Sequence, residues 1–160
     1  MSNAKRILME NVCYHLITRG NQKQKVFSCR EDHLVYLSLL GRFKRKYKFR
    51  VYAYCLMPNH VHILGEAENH LLLSNFMHDL NRTYTFYFNN KHKKVSHLWQ
   101  GRFKSMIISK DNYLIDCINY IELNPLKTDL AKQLSEYPWS SYNARALGKD
   151  DKIIDELSFI

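Results

Sequence analysis

"FRVYAYCLMPNHVHILGE" (Phe49–Glu66) sets two β-rich runs on either side of Pro58-Asn59. Phe49–Met57 is dense in aromatic and β-branched residues and reads as a strand. Met57-Pro58-Asn59 reads as a short turn and His60–Glu66 as the returning strand, so the stretch predicts an antiparallel hairpin. Alternation along the second strand sends His60 and His62 to one face and Val61 and Ile63 to the other. One face is apolar and suited to burial. The other carries two adjacent imidazoles of the kind that ligate metal ions. Taken alone, HxH is a weak motif, and strand histidines satisfied by neighbours or water are the commoner outcome.

Outward from the hairpin, Asn11–Asn21 reads as a strand ending at Gly20. Glu31–Tyr47 reads as a helix, with an acidic first turn and a basic last turn that suit its dipole. Leu73, Phe76, Met77, Leu80, Tyr84 and Phe88 recur at helical spacing, giving a long amphipathic helix to about Asn90. Phe103–Lys110 is a fourth strand. Asp111 then N-caps a helix whose buried stripe is Leu114, Ile118 and Ile121. The order β-α-β-β-α-β plus a further helix is the ferredoxin-like, split βαβ pattern of the α+β class. It implies an antiparallel sheet with helices packed on one face, so that His60 and His62 look out from the open side. The 160 residues fit one domain, with a polar tail after about Pro138 expected to be loosely held.

The net charge is +9 and the pI about 9.4. The cations cluster: "NQKQK" (Asn21–Lys25), "RFKRKYKFR" (Arg42–Arg50) and "KHKK" (Lys91–Lys94). Any one cluster is as well explained by a solvated helix end. Three of them together with the net charge point to a polyanion, and the aromatics within Arg42–Arg50 suit a nucleic-acid strand, with cations on phosphates and rings on bases. Candidate nucleic-acid contacts are Arg19, Asn21, Lys23, Lys25, Arg42, Lys44, Arg45, Lys46, Lys48, Lys91, Lys93, Lys94, Gln100, Arg102 and Lys104. The four cysteines form no CxxC pair, three lie in apolar runs, and no run reaches membrane-span length. A reduced, cytoplasmic protein is expected, associated with the nucleoid if the host is a prokaryote.

A second constellation lies near the end of the chain. Tyr120 and Asn124 are one helical turn apart and share a face beside the apolar stripe. Pro125 disfavours helical geometry at Asn124, so the helix should stop there, with an amide oxygen free to face a cation. Most tyrosines at a core edge are packing residues. Tyr120 differs in having an oxygen donor at a fixed offset. A tyrosine can act as a covalent nucleophile, and a divalent ion on His60, His62 and Asn124, with Mg or Mn suited to such a mixed nitrogen and oxygen set, could polarise a scissile phosphate.

"AYCLMPNHVHIL", "LWQGRFKS", and "YIELNP" followed by "YPWSSY", with "LITRGN" near the start, resemble the REP-associated tyrosine transposases. These belong to the IS200-like branch of the HUH single-strand transposase superfamily. The likeness runs from about Tyr14 to Tyr142, with the motifs in order. It implies cleavage and rejoining of single-stranded or hairpin DNA through a 5′-phosphotyrosine. The nucleophile would be Tyr120, with His60, His62 and Asn124 as metal ligands. Asn119 stands where the family often has Arg, and "LKTDL" replaces a glycine-containing continuation. HUH relatives include dimers with shared active sites, so a homodimer is one arrangement to expect. Two other readings stay open: a hairpin-binding module that does not cut, and a metal hydrolase in which water attacks.

Overall fold

The computed structural model describes residues 12–95 and 97–157. The sheet has four strands, β1 (Val12–Arg19), β2 (Arg50–Met57), β3 (His60–Ala67) and β4 (Lys104–Ile108), in the order β2-β3-β1-β4, with every neighbouring pair antiparallel. The hairpin read from Phe49–Glu66 is β2–β3. Asn11, the expected first residue of β1, lies outside the described residues. The helices are α1 (Arg30–Lys46), α2 (His70–His92), α3 (Asn112–Lys127) and a short α4 (Tyr142–Leu147). This is the ferredoxin-like α+β architecture that the order of elements predicts.

The two faces of the sheet bury different helices. Tyr14, Leu16, Val61 and Ile63 point into a core closed by Tyr36, Leu40 and Phe43 of α1 and by Leu73, Phe76, Leu80, Tyr84 and Phe88 of α2. The opposite face places Cys13, Cys55, Met57 and Leu64 against Leu114, Cys117, Ile118 and Ile121 of α3. The side of the sheet that carries His60 and His62 is therefore not bare, because α3 crosses it. Asp111 caps α3 as expected, its Oδ1 accepting the Tyr113 N–H at 2.9 Å. Three of the four cysteines are buried, as their apolar surroundings imply.

Two local expectations fail for physical reasons. α3 does not stop at Asn124 but runs through Pro125 to Lys127. Proline has no N–H for the Ile121 carbonyl, and the Asn124 side chain supplies one instead, with Nδ2 donating to Ile121 O (3.2 Å) and Tyr120 O (3.0 Å). Nor is the tail loose across residues 139–155. Leu56 N–H donates to the Trp139 carbonyl (2.8 Å), Ser141 N–H to the Tyr54 carbonyl (3.0 Å), and Asp155 N–H to the Val51 carbonyl (2.8 Å), so the tail covers the outer edge of β2. The Trp139 ring stacks on His33 at 4.3 Å, and His33 stacks on Phe27. Glu122 of α3 is buried and takes hydrogen bonds from Ser141 Oγ (2.8 Å) and Arg145 Nε (2.9 Å). These contacts join residues far apart in the chain, which local polarity does not reveal.

Asp155 holds this tail through one carboxylate. Its Oδ2 accepts from Val51 N–H (2.9 Å) and from Lys44 Nζ (2.6 Å), and Lys44 also donates to the Ile153 carbonyl (2.6 Å). Lys44 is buried, so Asp155→Ala leaves an ammonium without its counter-charge. Asp155 keeps a third of its side chain exposed, and solvent softens the loss. The expected cost is about 2 kcal/mol of unfolding free energy, measurable as a lower urea midpoint with unchanged slope.

Candidate active site

Alternation along β3 does what the sequence predicts. His60 lies opposite Arg19, and His62 opposite Ile17 on β1. The two imidazole rings are 4.8 Å apart and nearly perpendicular. His60 Nδ1 is 2.7 Å from Asn59 Oδ1 and donates to it, which leaves Nε2 with its lone pair. His62 is only 2% exposed, and its Nδ1 is 2.9 Å from Nε2 of a third histidine, His15. His15 lies on β1 on the same face, two residues before Ile17. The sequence reading of Asn11–Asn21 as a strand assigns His15 no role. The alternation of Cys13, His15, Ile17 and Arg19 was the signal that could have found it.

α3 brings Tyr120 over this cluster from the other side. Its ring stands edge-on to both His15 and His62, with 6.0 Å between centroids in each case. Tyr120 is 47% exposed, so a strand in solvent can reach its hydroxyl. Lys127 Nζ sits 4.9 Å above the ring and adds positive charge. Asn124 is one turn further along α3. Both of its amide hydrogens' directions are taken by helix carbonyls, and its Oδ1 accepts no hydrogen bond from the described residues. The structure thus unites His60, His62 and Tyr120 with a residue not anticipated, His15. One chain supplies all of them.

Electrostatics keep the imidazoles neutral. Burial pulls His15 down to about 4. Burial, helped by the Arg19 charge, pulls His60 down to about 4. Burial, then the two neighbouring histidines and Arg19, pull His62 down to about 3. Neutral rings offer lone pairs at neutral pH without proton competition. The same shifts make the metal-free protein acid-sensitive. The unfolded chain binds protons near pH 6.5 and the folded one does not until about pH 4 or below. Stability is therefore full above pH 6.5 and falls as pH drops through that window. We expect the thermal midpoint in chelator to fall progressively from pH 6.5 to 4, and to fall less in His15→Gln.

The donor types suit a divalent ion. Among the described residues no hydrogen bond engages His60 Nε2, His62 Nε2 or Asn124 Oδ1. No group of three or more His, Cys, Asp or Glu among the described residues is placed to hold an ion. Two imidazoles and one amide oxygen leave coordination positions open for substrate oxygens. The cysteines near this face do not compete, since burial pushes Cys13 and Cys55 up to about 12 and Cys117 up to about 11.

The candidate DNA contacts divide by surroundings. Lys44 drops out, being buried against Asp155 and Ile153. Lys46 and Lys91 are exposed but already face Asp79 (3.6 Å) and Glu31 (2.6 Å). Arg42, Lys46, Lys93 and Lys94, distant in sequence, line one groove together with Arg82 of α2. That groove is continuous, through Arg82, Thr85 and Asn89, with a second one lined by Asn21, Asn81, Trp99 and Arg102. Arg82 is the basic residue the sequence clusters did not single out. Lys23, Lys25, Arg45, Lys48, Gln100 and Lys104 are exposed outside these grooves.

The two motifs "RGN" and "LWQGR" form one rim. Gly20 bridges to Trp99, Asn21 N–H donates to Leu98 O (2.8 Å), and Gln100 N–H to Arg19 O (2.8 Å). Gly20 N–H donates to Asn59 O (2.8 Å), tying this rim to the turn that precedes His60. A Cβ on Gly20 would run into the Gln24 carbonyl, which explains the glycine. Trp99 Nε1 donates to Asn81 O (3.3 Å), and Gly101 turns the chain at φ +65°. The rim thus has a structural role that still leaves Gln100 and Arg102 exposed.

Comparison with known proteins bears on the fold and the family. The structure resembles that of a REP-associated tyrosine transposase bound to a REP hairpin, at a TM-score of 0.74 and 19% identity, over 99% of this chain and 96% of that one. It also resembles the crystal structure of a protein from Deinococcus radiodurans R1 assigned as a transposase, at a TM-score of 0.52 and 21% identity, over 76% of this chain and 96% of that one. At those identities the likeness shows the fold. In sequence, a Haemophilus influenzae Rd protein assigned as a REP-associated tyrosine transposase is 27% identical over 107 residues, which span 61% of each chain. The sequence model of the family described as "Transposase IS200 like" matches residues 8–124, most of the chain, and the chain belongs to that family.

Proposed function

We propose that the protein cleaves and rejoins single-stranded or hairpin DNA through a 5′-phosphotyrosine on Tyr120. The observation that supports this most is the convergence of Tyr120, carried by α3, with His62 and His60 across the sheet. A phenol at a solvent-open position beside the neutral imidazoles of His15 and His62 suits attack on a phosphodiester. In that step the Tyr120 Oη–P bond forms as the P–O3′ bond breaks. The phenolic proton leaves, and the departing 3′-oxygen takes one up. Rejoining reverses these events with a 3′-hydroxyl as the nucleophile. A divalent ion, Mg or Mn, held by His60, His62 and Asn124 would polarise the phosphate and orient it in line. Arg19 supplies a cation at the same edge of the sheet, and the grooves along α2 supply a basic track for the rest of the strand.

Hairpin DNA is the substrate class we infer, because the relative of matching fold is described with a REP hairpin. The direct test is a labelled hairpin carrying single-stranded flanks, incubated with Mn²⁺ and run on a denaturing gel. A protein-linked band with a free 3′-hydroxyl on the released fragment is the expected product. Tight binding without any linked band would leave a binding module. A free 5′-phosphate would point to attack by water.

Binding should also weaken steeply with salt and favour the hairpin with flanks over plain duplex. Arg82→Ala or Arg102→Ala should each lower the slope of log affinity against log salt by roughly 0.7–0.9, one phosphate contact apiece. Fluorescence anisotropy at several salt concentrations reads this directly.

A further inference from the structure

We propose that His15 is a positioning residue that fixes which nitrogen of His62 carries the proton, and so makes His62 Nε2 available to a divalent ion. The inference rests on the reading of His60 and His62 as metal ligands and adds a residue to it. His15 Nε2 and His62 Nδ1 are 2.9 Å apart, and both side chains are buried. Two neutral imidazoles share one hydrogen bond only if one nitrogen is protonated and the other is not. When His62 Nδ1–H donates to His15 Nε2, the lone pair of His62 lies on Nε2, on the far side of the ring. In the opposite arrangement His62 Nε2 carries the proton and cannot ligate.

The geometry allows either arrangement, and ligation by His62 Nε2 requires the first. His60 already follows the same rule, since Asn59 Oδ1 can only accept and so holds the proton on His60 Nδ1. A matched pair of Nε2 lone pairs on one face needs an acceptor for His62 Nδ1–H as well, and His15 is the partner present. The two rings are also stacked, with 5.1 Å between centroids and 30° between planes, which restricts rotation of His62 about χ2. The edge of Tyr120 lies against both rings, so the orientation of His62 is linked to that of the nucleophile. An acceptor behind a ligating imidazole orients the ring and raises the basicity of its other nitrogen, and losing one commonly costs 10–100-fold in metal affinity.

Substitutions separate this role from packing. Glutamine places an amide oxygen where His15 Nε2 stands and can accept the same hydrogen bond, whereas leucine fills the space without accepting. Titrating metal-free protein with Co²⁺ and following the visible spectrum gives an affinity that needs no DNA and no turnover. His15→Leu is expected to weaken Co²⁺ binding 10–100-fold, while His15→Gln stays within about threefold of the parent. Equal affinity in all three proteins, or an equal loss in both variants, would overturn the proposal. Should the leucine variant not fold, ¹⁵N spectra of the unaltered protein with Zn²⁺ decide the matter. A protonated His62 Nδ1, a metal-shifted His62 Nε2 and an unprotonated His15 Nε2 support it, and a proton on His15 Nε2 in the loaded protein refutes it. Absence of any Co²⁺ or Zn²⁺ binding by the unaltered protein would instead bring down the ligand reading beneath it.

Discussion

Tyr120→Phe is expected to keep hairpin affinity within about twofold and to remove every covalent protein–DNA species. The change deletes one oxygen and keeps the ring that stands T-shaped to His15 and His62, so the site should keep its shape. Without Oη no phosphotyrosine can form, and cleavage and rejoining should both fall by roughly three orders of magnitude or more. Tyr113 and Tyr142 are the nearest rivals in sequence. Tyr113 lies on α3 but is highly exposed, and neither ring contacts a histidine of the cluster. A linked band that survives in the phenylalanine variant would move the nucleophile elsewhere.

Loss of either proposed ligand should be nearly as severe. His60→Ala leaves the sheet pairing intact and removes a partly exposed ring, so the fold should persist by circular dichroism. Co²⁺ or Mn²⁺ affinity should drop roughly 100-fold or more, beyond what loss of a supporting residue produces, and cleavage should disappear with it. His62→Ala should show the same loss of metal with a larger cost in stability. That ring is buried, and its removal leaves a cavity beside an unpartnered His15 Nε2. Cleavage at the parental rate in either variant would exclude the residue as a ligand.

What the sequence showed and what it hid follow from the range of the interactions concerned. Alternation on β3 placed His60 and His62 on one face because a period of two needs only local backbone geometry. The Tyr120–Asn124 offset was readable for the same reason. His15 escaped notice because its meaning comes from a partner on another strand. Pro125 misled because the expected helix stop is cancelled by the side chain of the residue before it. Lys44 looked like one more surface cation in a basic run, and only a carboxylate on the distant tail shows it to be buried. The side on which α3 would lie depended on its packing partners, which helical periodicity does not name.

The way the tail docks has a bearing on how firmly the candidate site is held. The family match ends at Asn124, and by then every proposed ligand and the nucleophile have been synthesised. The helix that carries Tyr120 is nevertheless held through Glu122 by Ser141 and Arg145, and the outer ladder of β2 is closed by residues 139–155. A chain still emerging from the ribosome, or one nicked after Pro138, would own all its chemical groups. It would also present an open sheet edge and a helix packed on the sheet but lacking its Glu122 hydrogen bonds. Residues 139–155 therefore work as a brace: without them the proposed catalytic groups would remain, but the strand and helix behind them would be less firmly seated.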